Sequence, residues 1–267
     1  MDLAKQIRLN RIFAHPSKRF CSVALDHLVG YQKGLPAGLD NVPETLRRIA
    51  EGKPDAVTML KGMAKSAWAP YAGRIPLIIQ SVCFTADDAM IENVARPEEV
   101  LRLGADAIAV SLGVRGPNEG KFLKILCQMV EEADRIGLPV VAHIYPRDFS
   151  KGAAIVHDPE NIMWAVRCGV ECGADVVKVP FTGDARSFKQ IAATSPVPVV
   201  AAGGSRAETL QEALSMMSKV VESGVHGATI GRNIWGNANP TAALVAFRSV
   251  IHDQLSPAAA LKAAGLS

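Results

Sequence analysis

Residues 174–181 read ADVVKVPF, a short apolar run with one lysine, Lys178, in its middle. Similar apolar runs recur eight times along the chain, and each is followed by a stretch with helical spacing. This alternation is typical of βα units built around parallel strands. The predicted strands are 20–26, 56–61, 76–82, 105–111, 139–145, 174–181, 198–203 and 227–231.

Eight βα units predict a closed (β/α)8 TIM barrel, an α/β fold that usually takes about 250 residues. The chain has 267 residues, of which 49% are hydrophobic, so we expect a single barrel domain over 1–267. Segment 3–13 predicts a short amphipathic helix under the barrel floor. An open doubly wound sheet is the alternative, but its dinucleotide fingerprint G-x-G-x-x-G follows none of the eight runs.

Composition and charge bear on the class of partner. The formal charge is +3, with no basic run that would track a phosphate backbone, so nucleic acid is not an expected partner. The N-terminus lacks the apolar core of a signal peptide, and no run approaches transmembrane length. The five cysteines are odd in number and widely spread, which suits reduced thiols. We therefore expect a cytoplasmic protein with no membrane association, no disulfide framework and no metal.

Local signals predict where helices begin and which connections are long. Asp158 followed by Pro159 predicts an N-cap, and residues 205–208 (SRAE) predict a capping box for the helix after the seventh strand. The alanine-rich tail 257–264 predicts either docking on a neighbouring subunit or a frayed end. Connections 83–96 and 147–158 are long enough to form lids or binding walls.

Polar residues collect where the predicted strands end. Barrel enzymes build their sites from the C-terminal ends of the strands, so these residues predict one functional face. The strand-end groups are Asp26-His27, Lys61, Gln80-Ser81, Ser111, Tyr145, Lys178, Gly203-Gly204 and Gly231-Arg232-Asn233. Among them, His27 and Lys61, together with His143 two residues before Tyr145, are possible substrate-binding residues.

Lys178 carries the strongest chemical signal. Burying an ammonium without a partner is costly, so a buried lysine is either paired or shifted toward the neutral amine. A neutral amine attacks carbonyl carbons, which makes Schiff-base chemistry the leading hypothesis. The alternatives are an ion pair with Asp175 or Asp184, or a clamp on a substrate phosphate.

Tyr145 and two glycine-rich strand ends complete the candidate site. Adjacent strands lie about 4.8 Å apart, and side chains alternate between the two faces of a strand. By this alternation Tyr145 and Lys178, on neighbouring predicted strands, both point into the barrel. Both side chains can therefore face one substrate. The alternative for Tyr145 is a rim tyrosine bonded to backbone. Gly203-Gly204-Ser205 and Gly231-Arg232 predict a phosphate site, because glycine lets backbone N–H groups approach an anion. The alternative is that these glycines serve only tight turns.

The ordered motifs resemble one family, the archaeal-type class I fructose-bisphosphate aldolases with the related DeoC/LacD-like lysine-dependent aldolases and transaldolases. The resemblance spans roughly residues 3 to 250. The motifs are Ala24-Leu25-Asp26-His27, Tyr145-Pro146-Arg147, Val177-Lys178 with Thr182-Gly183-Asp184, Gly203-Gly204 and Gly231-Arg232-Asn233-Ile234-Trp235.

The resemblance implies a (β/α)8 barrel in which Lys178 forms the imine and Tyr145 is the general acid/base. It implies that Asp26 orients substrate hydroxyls or assists proton transfer. It places the substrate phosphate at the backbone near Gly203, Gly204, Gly231 and Arg232. It also implies a sugar-phosphate substrate of the dihydroxyacetone phosphate type, a homo-oligomer and no cofactor.

Departures from the family pattern concern the substrate. Enzymes of this group that cleave fructose bisphosphate often have a second lysine two residues after the first, where this chain has Pro180. The aromatic residue before their tyrosine corresponds to His143. Imine chemistry is therefore better supported than fructose bisphosphate itself. A transaldolase or thiolase-like transferase using the same lysine, and a non-catalytic sugar-phosphate-binding barrel, remain open alternatives.

Overall fold

A closed ring of eight parallel strands forms the centre of the molecule. The computed structural model describes residues 2–27, 34–85, 87 and 91–266. Going round the ring, each strand pairs with the next and the last pairs with the first, which confirms the predicted barrel. The strands are β1 (Phe20–Ala24), β2 (Ala56–Met59), β3 (Leu77–Phe84), β5 (Ala107–Val114), β6 (Val140–Asp148), β8 (Val176–Val179), β9 (Val199–Ala202) and β10 (Gly227–Ile230).

Helices connect the strands and cover the outside of the ring. They are α1 (Leu3–Ile12), α2 (Val42–Glu51), α3 (Lys61–Ala67), α4 (Pro97–Arg102), α5 (Glu119–Asp134), α6 (Pro159–Glu171), α7 (Ala185–Ala193), α8 (Leu210–Glu222), α9 (Arg232–Trp235), α10 (Pro240–Ile251) and α11 (Pro257–Ala263). Within the described ranges, none of these helices is long and apolar enough to cross a membrane.

Two short strands lie outside the ring, in the connections expected to be long loops. Strand β4 (Ile91–Asn93) pairs antiparallel with the end of β3, and β7 (Ala154–Ile155) pairs antiparallel with the end of β6. Each connection therefore begins as a β-hairpin that extends its barrel strand beyond the C-terminal end of the barrel. Residues 86 and 88–90 of the first connection lie outside the described residues.

Alternate strand residues divide the core into two clusters. The smaller cluster fills the barrel and includes Val141 of β6 and Val176 of β8, so His143, Tyr145 and Lys178 follow the same inward parity. Leu9 and Ile12 of α1 belong to this cluster, which confirms α1 as the floor of the barrel. The larger cluster lies between the strands and the surrounding helices.

A buried ion pair anchors α1 to the barrel. The Nζ atom of Lys5 lies 2.7 Å from Asp175 Oδ2 and 2.5 Å from Asp134 Oδ1. Burial lowers the pKa of Lys5, but the two carboxylates outweigh it and the net pKa is raised. Asp175 also accepts a hydrogen bond from the backbone N–H of Val140 (2.8 Å). The first helix is thus joined to β6 and β8, far along the chain.

The predictions of a capping box at 205–208 and of a frayed tail were wrong and the N-cap at Asp158 is confirmed, while docking of the tail on a neighbouring subunit stays a prediction. Asp158 caps α6 as expected, with Pro159 in the first turn. The capping box of α8 is formed by Thr209 and Glu212 instead of by residues 205–208, because the backbone at 205–207 is held by a distant asparagine described below. The tail 257–264 is a helix, α11, on its own barrel, with Ala260 buried in the larger core cluster.

Candidate active site

A large cavity opens at the C-terminal ends of the barrel strands. Its volume is about 1070 Å³, and seven of the eight barrel strands or their following loops contribute to its wall. Most of the predicted site residues meet there. The polar lining includes Asp26, His27, Gln80, Cys83, Ser111, Tyr145, Arg147, His157, Lys178, Ser205 and Arg232, with the glycines Gly203, Gly204 and Gly231.

Lys178 lies in the wall of this cavity on β8 with only 4% of its surface exposed. Among the described side chains, none forms a hydrogen bond or an ion pair with its Nζ atom. Asp175 is bonded to Lys5 at the other end of the strand, and Asp184 accepts from Ser187 N as the N-cap of α7. Pairing of Lys178 with Asp175 or Asp184 is therefore wrong for this fold.

Tyr145 lines the same cavity from β6, the strand next to β8. In the register of the two strands His143 is opposite Lys178, so Tyr145 lies one inward position closer to the cavity mouth. An amine and a phenol on neighbouring strands therefore line one cavity.

His143 lies beneath the cavity and does not form part of its wall, which corrects its prediction as a substrate-binding residue. Its ring is 2% exposed, and its Nδ1 atom is 3.4 Å from Ser111 Oγ. Burial, and then the positive charge of Lys178, holds the pKa of His143 well below its usual value. The ring is therefore a neutral neighbour of the lysine.

Asp26 and His27 follow β1 and lie at the rim of the cavity. The Nδ1 atom of His27 is 3.8 Å from Asp26 Oδ1, and the ring packs edge-on against Trp235 with centroids 5.2 Å apart. Burial lowers the pKa of His27; the carboxylate of Asp26 opposes this, and Lys178 adds to it. Asp26 thus brings a carboxylate to the cavity beside the loop that holds Gly231, because β1 is the strand next to β10.

The two glycine-rich loops are held together by the side chains of Asn233 and Arg232. The Nδ2 atom of Asn233 donates to the carbonyls of Gly203 (3.0 Å) and Ser205 (2.9 Å), and its Oδ1 accepts from the N–H of Ala207 (2.9 Å). Arg232 donates to the carbonyl of Gly204 at 3.0 Å. Cross-linking of this kind preorganises a loop pair that lies where barrels frequently bind phosphate.

The glycines in these loops also meet a backbone requirement. Gly204 has φ +74, a conformation that L residues rarely adopt. A Cβ on Gly203 would lie 2.7 Å from the Cα of Ile230. The turn-only alternative therefore explains why glycine is present, and it is compatible with anion binding by the same backbone.

Lys61 does not reach the cavity, and its prediction as a substrate-binding residue was wrong. Strand β2 ends at Met59, and Lys61 is already the first residue of α3. Its Nζ atom bonds to Glu99 Oε2 at 2.8 Å on the outer surface. A polar residue after an apolar run indicates the strand end but not the direction of its side chain.

Several cavity residues had no role in the sequence prediction. Arg147, two residues beyond Tyr145, donates to the carbonyl of Ala153 within the β6–β7 hairpin. That hairpin returns His157 to the cavity, where its Nδ1 is 2.9 Å from the carbonyl of Phe181. Arg147 belongs to the motif Tyr145-Pro146-Arg147. An arginine so close to a predicted strand was the sequence signal that could have identified it as a cavity residue. No sequence signal identified His157, because its position in the cavity wall depends on the β6–β7 hairpin.

Comparisons with known proteins agree with this geometry. A family model described as "DeoC/LacD family aldolase" matches residues 20–237. The chain is 32% identical to 2-amino-3,7-dideoxy-D-threo-hept-6-ulosonate synthase of Halobacterium salinarum, covering 99% of this chain and 98% of that protein. It is 29% identical to 2-amino-4,5-dihydroxy-6-oxo-7-(phosphonooxy)heptanoate synthase of Streptomyces griseus, covering 98% and 95%.

Solved structures give the same picture. An archaeal fructose 1,6-bisphosphate aldolase superposes with a TM-score of 0.80 at 27% identity, covering 93% of this chain and 99% of that one. A second archaeal structure, described with its catalytic lysine covalently bound to the carbinolamine intermediate of the substrate, gives 0.80 at 26% identity, covering 93% and 99%. Both are similar to this chain over almost their whole length.

Proposed function

The chain belongs to the DeoC/LacD family of aldolases, and we propose that it is a class I aldolase acting on a phosphorylated ketose through an imine on Lys178. The observation that carries the proposal is Lys178 itself, a buried lysine with no carboxylate partner among the described residues, facing a large cavity next to a tyrosine. A structure of a related aldolase with its lysine bound to a carbinolamine supports the same chemistry.

In the proposed first step, the amine of Lys178 attacks the ketone carbon of the substrate and water leaves. One further proton, taken from solvent, gives the protonated imine, which draws electrons from the bond between the α and β carbons of the substrate. The neutral ring of His143 beneath it adds no second charge.

In the proposed second step, Tyr145 relays the proton of the substrate hydroxyl as the carbon–carbon bond breaks. Its phenol oxygen accepts that proton and its own O–H proton passes to solvent. The electron pair of that bond moves to the imine and forms an enamine, and the aldehyde half departs. Proton transfer by a positioned group contributes about 10²–10⁴-fold in rate. Asp26 holds the substrate hydroxyls on the opposite side.

Phosphate binding completes the proposal. The N–H of Gly203 is already donated to the carbonyl of Thr229 (2.8 Å). The donors offered to one phosphate group are the backbone N–H groups of Gly204 and Gly231, the hydroxyl of Ser205 and the guanidinium of Arg232. These loops follow β9 and β10, and β9 is the strand next to Lys178. A ketose phosphate anchored there presents its carbonyl carbon to the lysine.

A transferase reaction on the same lysine is the second candidate. Two relatives are named as synthases of seven-carbon amino acids, and this chain has Pro180 where fructose-bisphosphate-cleaving enzymes often carry a second lysine. Such an enzyme would pass the enamine to a second aldehyde. Fructose 1,6-bisphosphate remains a substrate to test, because structural neighbours carry that name.

Borohydride trapping tests the proposal directly. The protein is incubated with dihydroxyacetone phosphate or fructose 1,6-bisphosphate, reduced, and measured by intact-protein and peptide mass spectrometry. We expect a stable adduct on Lys178 that Lys178→Met abolishes and Lys61→Met, a lysine outside the cavity, retains. No adduct with either compound, despite demonstrable binding, would overturn the proposal.

A further inference from the structure

The charges around the cavity are distributed unequally. Every lysine and arginine among the described lining residues belongs to β6, β8, α8 or the loop after β10. These cations are Arg147, Lys178, Lys219 and Arg232. Strand β3 instead contributes Gln80 and Cys83, and Asp26 follows β1, the strand between β10 and β2.

Gln80 is the unusual member of the second group. It is 1% exposed, and its Nε2 atom donates to the backbone carbonyls of Val82 (2.5 Å) and Ala109 (3.3 Å). Its Oε1 atom is buried and has no hydrogen-bond partner. The amide cannot be turned round, because its oxygen would then face two carbonyl oxygens.

A buried acceptor without a donor is energetically costly, and such groups are rare in folded proteins. Gln80 therefore presents an oxygen that a ligand donor can satisfy. A hydroxyl or an ammonium group provides such a donor. A phosphate dianion provides only acceptor oxygens.

The position of β3 in the ring decides which part of a substrate this oxygen meets. Strand β3 is four places from β9 in the eight-stranded ring, so Gln80 lies across the barrel from the loop Gly203–Ser205. A ketose held by its phosphate at that loop and by its carbonyl carbon at Lys178 extends its remaining carbons toward β3. Those carbons become the aldehyde half of the substrate.

Charge on this side also disfavours a second phosphate. Burial first, and then the negative charge of Asp26, raises the pKa of the Cys83 thiol to about 12. The field of the carboxylate therefore reaches β3. Lys61, the lysine that follows β2, is turned away to Glu99.

We infer that Gln80 accepts a hydrogen bond from a hydroxyl or ammonium group on the aldehyde half of the substrate, and that this end of the cavity takes no phosphate. The inference rests on the proposed function, since it assumes an imine at Lys178 and a phosphate at the glycine loops. It makes Gln80 a specificity-determining residue and favours a ketose monophosphate over a bisphosphate.

The test compares aldehydes in the direction of synthesis. With dihydroxyacetone phosphate as donor, kcat/KM is measured for glyceraldehyde, glyceraldehyde 3-phosphate and butanal. We expect glyceraldehyde to exceed its phosphate by about tenfold or more, the size of one lost hydrogen bond plus charge repulsion. Equal rates, or a preference for glyceraldehyde 3-phosphate, would overturn the inference.

The variant Gln80→Met tests the residue. It should lower kcat/KM for glyceraldehyde by about 10–100-fold and leave butanal, which has no hydroxyl, within about twofold. The matched control is Ser81→Ala: Ser81 Oγ donates to the same Ala109 carbonyl at 2.8 Å but does not line the cavity. An equal loss with both aldehydes, or the same loss in Ser81→Ala, would overturn the assignment.

Failure of the inference is distinguishable from failure of the proposed function. Absence of a borohydride adduct on Lys178 would contradict both the proposed function and the inference about Gln80. An adduct on Lys178 combined with equal kcat/KM for the three aldehydes would contradict only the role of Gln80. If thermal melting shows that Gln80→Met does not fold, the ratio of wild-type kcat/KM for glyceraldehyde to that for glyceraldehyde 3-phosphate still tests whether this end of the cavity takes a phosphate.

Discussion

His143 on β6 lies in register with Lys178 on β8, and both side chains are almost completely buried. Burial, and then the charge of the lysine, lowers the pKa of the histidine well below its usual value. The ring therefore adds no second positive charge beside the lysine. In the proposed mechanism, the imine at Lys178 takes its proton beside a ring that remains neutral.

This relationship predicts a pH dependence of stability. The pKa of His143 is lowered in the folded state and about 6.5 in the unfolded chain, so below pH 6.5 the unfolded state binds more protons and folding is weakened. The contribution is fully present above pH 6.5 and declines by up to about 1.4 kcal/mol per pH unit as the pH falls toward the folded pKa. Urea unfolding at pH 7.5, 6.5 and 5.5 should show this slope.

The matched variant for that measurement is His143→Phe. Its stability should fall less steeply between pH 6.5 and 5.5 than that of the wild type, whatever its stability at pH 7.5. Because His15, His27 and His226 also have lowered pKa values, some slope should remain. An unchanged slope in the variant would show that His143 is charged in the folded state.

Tyr145→Phe should separate imine formation from bond cleavage. The variant keeps the ring in the cavity but cannot move a proton, so turnover should fall by about 10²–10⁴-fold while the borohydride adduct on Lys178 persists. Tyr71→Phe, which changes a tyrosine that packs on Trp68 outside the cavity, is the control and should retain activity. Full turnover by Tyr145→Phe would assign the proton transfer to another group.

Asn233→Asp should weaken phosphate binding selectively. The aspartate keeps the acceptor for Ala207 N–H but removes both donors to Gly203 and Ser205 and places a negative charge beside the loops. We expect KM for the phosphorylated ketose to rise by roughly tenfold or more, with a smaller change in kcat, since uniform binding is lost. A normal KM would mean that the loops hold their form without this side chain.

Lys5→Met should destabilise the fold without touching the cavity. Removing the lysine leaves the buried Asp175 unpaired, a change that typically costs about 3–5 kcal/mol. Arg11→Met, which removes an arginine that is 62% exposed in its ion pair with Asp106, should cost about 1 kcal/mol or less. Denaturant unfolding measures both, and equal losses would contradict a special role for the buried pair.

Local sequence patterns predicted the barrel because each βα unit encodes its own strand and helix. Each of the eight observed strands overlaps its predicted run. Strands β3 and β6 run past their predicted ends because β4 and β7 pair with them. Those pairings depend on residues further along the chain, and the spacing of apolar residues within one strand gives no information about them.

Side-chain direction was the less predictable part of the site. Lys178 and Tyr145 reach the cavity because strand parity is a local property. Lys61 does not, because the chain has already turned into α3 and Glu99, 38 residues away, bonds to it. Residues 205–207 resembled a helix start, but Asn233 holds their backbone from another loop. Contacts between distant residues decided each of these cases.

The anchoring of α1 has a consequence for biosynthesis. Helix α1 is synthesised before the barrel strands. Lys5 can bond to Asp175 only after residue 175 has been synthesised, and the apolar face of α1 is fully buried only after strands as far as Val200 have formed. At about 5–20 residues per second, the interval after α1 leaves the ribosome is on the order of ten to thirty seconds. Throughout that time the nascent chain carries an exposed amphipathic segment, and closure of the barrel floor becomes a late event in cotranslational folding.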